Sequence, residues 1–129
     1  MSSLFTKIIN GEIPCYKIHE SENCFAFLDI NPNTLGHTLC IPKKEEDYIF
    51  DLDSVLYNEL FLFSKDIAKA IKKAIPCKRV SLTVIGLEVP HAHIHLIPIK
   101  TMNDTNFSKK VICSEEKFKE IALKIKSFL

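Results

Sequence analysis

The spacing of apolar and polar residues divides the chain into eight elements. Ser3 to Gly11 reads as a short helix, with Leu4, Phe5 and Ile8 on one side, Ser3 at its cap and Gly11 where it stops. Ile13-Pro14 breaks that pattern, because proline cannot continue a helix. Alternation then marks strands over Cys15 to Glu20 and Cys24 to Ile30, joined by the polar turn Ser21-Glu22-Asn23, and a third over His37 to Pro42. From Asp53 to Ile75 the period becomes helical, with Leu56, Leu60, Phe63, Ile67, Ala70 and Ala74 on one stripe, Asp53 or Ser54 as cap and Pro76 as stop. Val80 to Ile85 and Pro90 to Pro98 are two further strands. A last amphipathic helix begins at Ser114 and carries Phe118, Ile121, Ala122 and Ile125 on one side. Lys43 to Asp47 reads as solvated loop and Met102 to Ser108 as polar and irregular. This order predicts an α+β domain spanning 1–129, with a five-stranded, mostly antiparallel sheet, one long helix, a short N-terminal helix and a C-terminal helix.

The last strand carries the chemistry. In extended chain His91, His93 and His95 share a face, about 6.5 Å from one to the next, while Ala92, Ile94 and Leu96 face a core. Imidazole can serve as acid, base, nucleophile or metal ligand near neutral pH, so two readings stand: a nucleophilic or acid-base site, and a metal site. Zinc requires ligands converging at about 2 Å, and neighbours on a flat strand converge poorly. Asp29, closing the strand that places Phe25 and Phe27 on its own face, suits either a cap for the turn Asn31-Pro32-Asn33 or a ligand role.

Bulk properties narrow the classes. The chain has 129 residues, 47% of them hydrophobic and 26% charged, which fits one globular domain. A net charge of +1 lacks the basic excess of a general nucleic-acid binder. No apolar run approaches the roughly 20 residues of a spanning helix, and the first residues lack the basic-then-apolar order of a secretory signal. Five cysteines without a C-x-x-C pair point to free thiols in a reducing compartment, hence the cytoplasm, or the nucleus of a eukaryote.

Four colinear segments carry a resemblance. They are Phe5-Thr6-Lys7-Ile8-Ile9-Asn10-Gly11-Glu12-Ile13-Pro14, Phe25-Ala26-Phe27-Leu28-Asp29-Ile30-Asn31-Pro32, Gly36-His37-Thr38-Leu39-Cys40-Ile41-Pro42-Lys43 and His91-Ala92-His93-Ile94-His95-Leu96-Ile97. In these the chain resembles the histidine triad (HIT) family of nucleotide hydrolases and transferases, in its Hint-like and bacterial branches. The resemblance implies that His93 attacks the α-phosphorus of a purine nucleotide, forming a nucleotidyl-histidine that water resolves to the nucleoside 5′-monophosphate. Holding the other ring nitrogen on a backbone carbonyl would keep the attacking lone pair free. His95 would bond the phosphate or leaving group, and His91 and His37 would orient and polarise the site. Asp29 would accept the ribose hydroxyls, Leu4, Phe5, Ile8, Ile13, Phe27 and Ile30 would enclose the base, and backbone amides near Val89 would meet phosphate oxygens. The resemblance further implies a homodimer and no catalytic metal or other cofactor. The activity it implies first is a nucleoside phosphoramidase, with a dinucleoside polyphosphate hydrolase or a non-catalytic nucleotide-binding regulator as alternatives.

The chain departs from the family pattern at three places. Gly86-Leu87-Glu88 stands where Gly-Gln-Ser or Gly-Gln-Thr is usual, Thr83, Val84 and Ile85 include no counterpart of an upstream asparagine, and Glu45 replaces a histidine after the Pro-Lys step.

Overall fold

A computed structural model describes residues 2–129; Met1, included in the expected domain range, lies outside the described residues. Helix α1 spans Leu4–Ile9, β1 Lys17–Glu20, β2 Cys24–Leu28, β3 Thr38–Pro42, α2 Ser54–Ala74, β4 Arg79–Thr83, β5 Ile94–Ile99 and α3 Glu115–Lys126. The strands form one antiparallel sheet in the order β1-β2-β3-β5-β4. The expected α+β architecture is therefore observed, with every strand pair antiparallel.

Each helix starts where a side chain satisfies an otherwise free amide. The hydroxyl of Ser3 accepts from Thr6 N, the carboxylate of Asp53 from Leu56 N and the hydroxyl of Ser114 from Lys117 N. Helix α2 buries Leu60, Phe63, Ile67, Ala70, Ile71 and Ala74, and α3 buries Phe118, Ile121, Ala122 and Ile125. Both pack on one face of the sheet over Ala26, Leu28, Cys40, Ile94 and Leu96. Burying each Leu or Ile in this layer contributes about 1.5–3 kcal/mol relative to exposure.

The opposite face of the sheet is smaller and more aromatic. There Phe25, Phe27, Leu39 and Ile41 meet Phe5 and Ile8 of α1, so the short first helix closes a second apolar cluster. Cross-strand register fixes what else lies on that face. Phe27 pairs with Leu39, Leu39 with His95 and His95 with Thr83, so the third histidine stands in the same row as the aromatic cluster.

The histidine strand is shorter than its alternation predicts. The ladder between β3 and β5 ends at Cys40–Ile94, and His91 to His93 are not strand. Instead Ala92 N bonds to Glu46 O at 2.6 Å and His91 N to Val89 O at 2.8 Å, while Pro42, which has no N–H, gives its carbonyl to the His91 ring. The three imidazoles thus do not form a flat row: the His93 and His95 ring centres are 4.8 Å apart.

Gly36, immediately before His37, has φ +99°, and a Cβ there would lie 3.0 Å from Ile75 Cγ1 and 3.4 Å from Pro98 Cγ. Gly11 has φ +78° with open space around it. Gly36→Ala is expected to destabilise the protein by about 2 kcal/mol or more, against about 1 kcal/mol for Gly11→Ala. Urea unfolding of the two variants measures the difference, and equal losses would contradict the tight packing at Gly36.

Candidate active site

His91, His93, His95 and His37 are all buried. The partners of each ring nitrogen settle most of the proton positions, because a carbonyl only accepts and a backbone amide only donates. His91 Nε2 lies 2.8 Å from Pro42 O, so it carries the hydrogen, and Nδ1 accepts from the Ser3 hydroxyl at 2.8 Å. His93 Nδ1 lies 2.8 Å from His91 O and donates to it. In the neutral ring, the lone pair of His93 Nε2 is then available to an electrophile.

A second chain of bonds starts at Asn33. Its backbone N–H donates to His37 Nδ1 at 3.0 Å, so the neutral His37 ring carries its proton on Nε2. That nitrogen lies 3.0 Å from His95 Nδ1, which therefore accepts and leaves the hydrogen of His95 on Nε2. Burial holds His37 down at about 3 and His95 at about 4, each further lowered by neighbouring positive charge, and burial also lowers His91. The approach of His37 Nε2 to Asp29 Oδ2, 3.6 Å, is accordingly not an ion pair at neutral pH. Two neighbouring nitrogens are thus set up for opposite tasks, a lone pair on His93 and an N–H on His95.

Asp29 serves the turn and keeps a second oxygen. Oδ1 accepts from Asn31 N at 2.8 Å, and Oδ2 is the oxygen near His37. Burial raises its pKa, opposed by the Asn31 amide and the charge of Lys110, and Glu88 raises it further. Glu88 lies exposed in a loop, and its charge is felt at Asp29.

Among the residues expected to enclose a base, Phe5, Ile8 and Phe27 are buried together with Ile13 packed against them; Val89, near which backbone amides were expected to meet phosphate, packs against the same cluster. The Phe5 ring stands edge-on to His93 at 5.0 Å, so this apolar wall adjoins the free nitrogen. Leu4 and Ile30, at 47% and 72% exposure, are outside the cluster. His93 also lines a cleft of about 260 Å³, together with Tyr48, Phe50, Val84, Ile85 and Leu87.

Several contacts around the site join residues distant in sequence that the sequence pattern does not relate. Glu45, assigned to a solvated loop, accepts from Ser3 N at 2.5 Å and from Thr6 Oγ1 at 2.7 Å. It acts as the carboxylate of a capping box supplied from a distant loop. Lys43 pairs with Glu20 at 2.6 Å. The stretch after β5, expected to be polar and irregular, forms a 3-10 turn at Met102–Thr105 and brings the Phe107 ring 4.9 Å from His95 and 6.1 Å from His37. Nothing in a lone phenylalanine among polar residues points to such a contact.

The metal reading changes its ligands. The group of three that comes together among the described residues is Asp29, His37 and His95, with ligand atoms within 4.8 Å of one another, rather than the three triad histidines. Because His37 Nδ1 takes the Asn33 amide, its Nε2 is protonated, and ligation there would require breaking that bond.

The model of the HIT domain matches residues 10–102. An uncharacterised HIT-like protein of Borreliella burgdorferi is 35% identical over 95% of this chain and 94% of its own length. The adenosine 5′-monophosphoramidase HNT1 of Saccharomyces cerevisiae is 36% identical over 74% of this chain and 61% of its own length. In structure, a Hit-like protein of Bartonella henselae described as involved in cell-cycle regulation superposes with a TM-score of 0.87 at 32% identity, covering 99% of this chain and 96% of that one. The chain belongs to the HIT family. No helix among the described residues is long and apolar enough to cross a membrane.

The depressed histidines make stability depend on pH in a fixed direction. In the folded protein His37 and His95 remain neutral well below the ordinary value of 6.5, whereas the unfolded chain takes up protons there. Their contribution is therefore complete above about pH 6.5 and is lost as pH falls toward 4. The urea midpoint is expected to decline between pH 7 and pH 5, and His37→Asn, which keeps an acceptor near the Asn33 amide, should flatten the decline. An unchanged slope in that variant would show that the proton uptake lies elsewhere.

Proposed function

We propose that this protein is a nucleotide hydrolase that releases a nucleoside 5′-monophosphate, acting first on nucleoside phosphoramidates of a purine base, through a covalent intermediate on His93. The observation that carries the reading is the bond from His93 Nδ1 to its own chain at His91 O, which leaves Nε2 unencumbered beside an apolar wall. In the first step the Nε2 lone pair forms a bond to the α-phosphorus as the phosphorus–nitrogen bond of the substrate breaks. The leaving amine takes its proton from water, while His95, a neutral ring with its hydrogen on Nε2, would donate a hydrogen bond to a phosphate oxygen or to the leaving group. In the second step water displaces the ring nitrogen and gives up a proton to solvent, so His93 returns to its starting state and the two displacements share the barrier. Asp29 would accept the ribose hydroxyls, and Phe5, Phe27 and Ile8 would hold the base. His91 and His37 act through their neighbours by fixing ring orientation.

The yeast relatives named adenosine 5′-monophosphoramidases, at 34–36% identity, support the phosphoramidate over other leaving groups. His93→Ala is expected to reduce AMP release from an adenosine phosphoramidate by about a thousandfold or more while AMP still binds within about threefold of the parent. Mass spectrometry of acid-quenched protein should find the added nucleotide on the peptide containing His93. Undiminished turnover in the variant would end the nucleophile assignment.

We also propose that two copies associate through β4. It is an outer strand of the sheet, with Leu82 and Ile85 exposed nearby. Sedimentation of the parent should give twice the chain mass, and Leu82→Glu should shift it toward the single-chain value. A parent that sediments as one chain would refute the association.

A further inference from the structure

The phosphate of a nucleotide bound as proposed would carry negative charge into a site where His37 and His95 are neutral. The loop Gly86-Leu87-Glu88 offers no side-chain amide or hydroxyl there and adds a carboxylate of its own. Asp29 is a second carboxylate close by. An anion entering such a site requires a cation, and the neighbouring lysines differ in whether they are already paired. Lys43 is bonded to Glu20, and Lys109 to Asp104. Lys110 forms no ion pair among the described residues.

The position of Lys110 is built. Its amino group bonds to the Asn33 side-chain oxygen at 2.9 Å and lies 5.2 Å from the centre of the Phe107 ring. Asn33 is fully buried, and its side-chain amide donates to Asp104 O at 3.2 Å. Its backbone is the donor that sets the His37 proton. Val111 N bonds to Pro32 O at 3.0 Å, and Asp104 receives Lys100 N and Thr101 N. The same ring that Lys110 caps stands 4.9 Å from His95. The lysine charge is felt at Asp29, His37 and His95. Of these residues Asp104, Phe107, Lys110 and Val111 lie beyond residue 102, where the match to the HIT domain ends.

Resting on the nucleotide reading above, we infer that Lys110 binds the 5′-phosphate of the nucleotide, so that a segment outside the HIT domain supplies the site's positive charge. The amino group exchanges or shares its bond to the neutral Asn33 oxygen for one to a phosphate oxygen, a stronger, charge-assisted contact.

The test is calorimetric binding of AMP and adenosine to the intact protein and to Lys110→Gln and Lys110→Arg, with thermal unfolding as a check on folding. Lys110→Gln should weaken AMP about tenfold or more and leave adenosine within about twofold. Lys110→Arg, which keeps the charge, should recover most of the AMP affinity. Equal weakening of AMP and adenosine would mean that the lysine only holds the segment in place, and unchanged AMP affinity would mean that it does not reach the phosphate; either overturns the inference. Parent protein that binds neither ligand would instead overturn the nucleotide reading itself.

Discussion

A backbone amide can donate a hydrogen bond and never accept one, and the amide of Asn33 uses that property to fix the protons of the rings beyond it. Because His37 Nδ1 must accept, His37 Nε2 must donate to His95, and His95 Nε2 must present a hydrogen. On the neighbouring segment the carbonyl of His91 imposes the reverse polarity on His93, whose outer nitrogen keeps its lone pair. The two rings meet edge to face at 4.8 Å with unlike outer atoms. Burial supports the pattern by disfavouring the charged form of His37 and His95, since a protonated ring would lose its capacity to accept.

That polarity depends on the strand ending early. If the ladder of β3 and β5 continued past Cys40–Ile94, the His91 carbonyl would be committed to or directed by sheet pairing, and His93 would point with His95 in one row. Pro42 at the end of β3 cannot donate, and its free carbonyl instead captures His91 Nε2. Ser3 closes the other side of the same ring while capping α1, and Glu45 holds Ser3 N and Thr6. The helix that brings Phe5 to His93 and the loop that shapes the triad are therefore one hydrogen-bonded unit.

Most of the fold was legible because it rests on periodicity and caps. Ser3, Asp53 and Ser114 cap the helices as their positions suggest, and the stripe from Leu60 to Ala74 is buried as its spacing requires. The four histidines and Asp29 were legible as residue types gathered near strand ends, and the structure does bring them together. The break at His93 was not legible, since alternation in Pro90 to Pro98 is the same whether or not a partner strand continues alongside. Glu45, Asn33, Phe107 and Lys110 were silent for a different reason: each acts through a contact distant in sequence. The Asn33 side chain alone reaches Asp104 and Lys110, which no local pattern relates to it.

The charges around the triad follow from the same burial. Neutral imidazoles lend a site nucleophilicity and directed hydrogens, but they supply no net positive charge to an incoming anion. Asp29, raised by burial, and Glu88, whose charge reaches it, tilt the surroundings toward negative potential. A cation carried on one of the buried elements would itself be costly to desolvate and would depress the histidines further. Placing it on an exposed segment after β5, over an aromatic ring and against a neutral amide oxygen, keeps the ammonium hydrated while leaving it close enough to be felt at His95 and His37. The segment from Thr101 to Val111 thereby acquires a reason for its hydrogen-bonded turn and for its anchor on Pro32: it holds charge near the histidines without burying it among them.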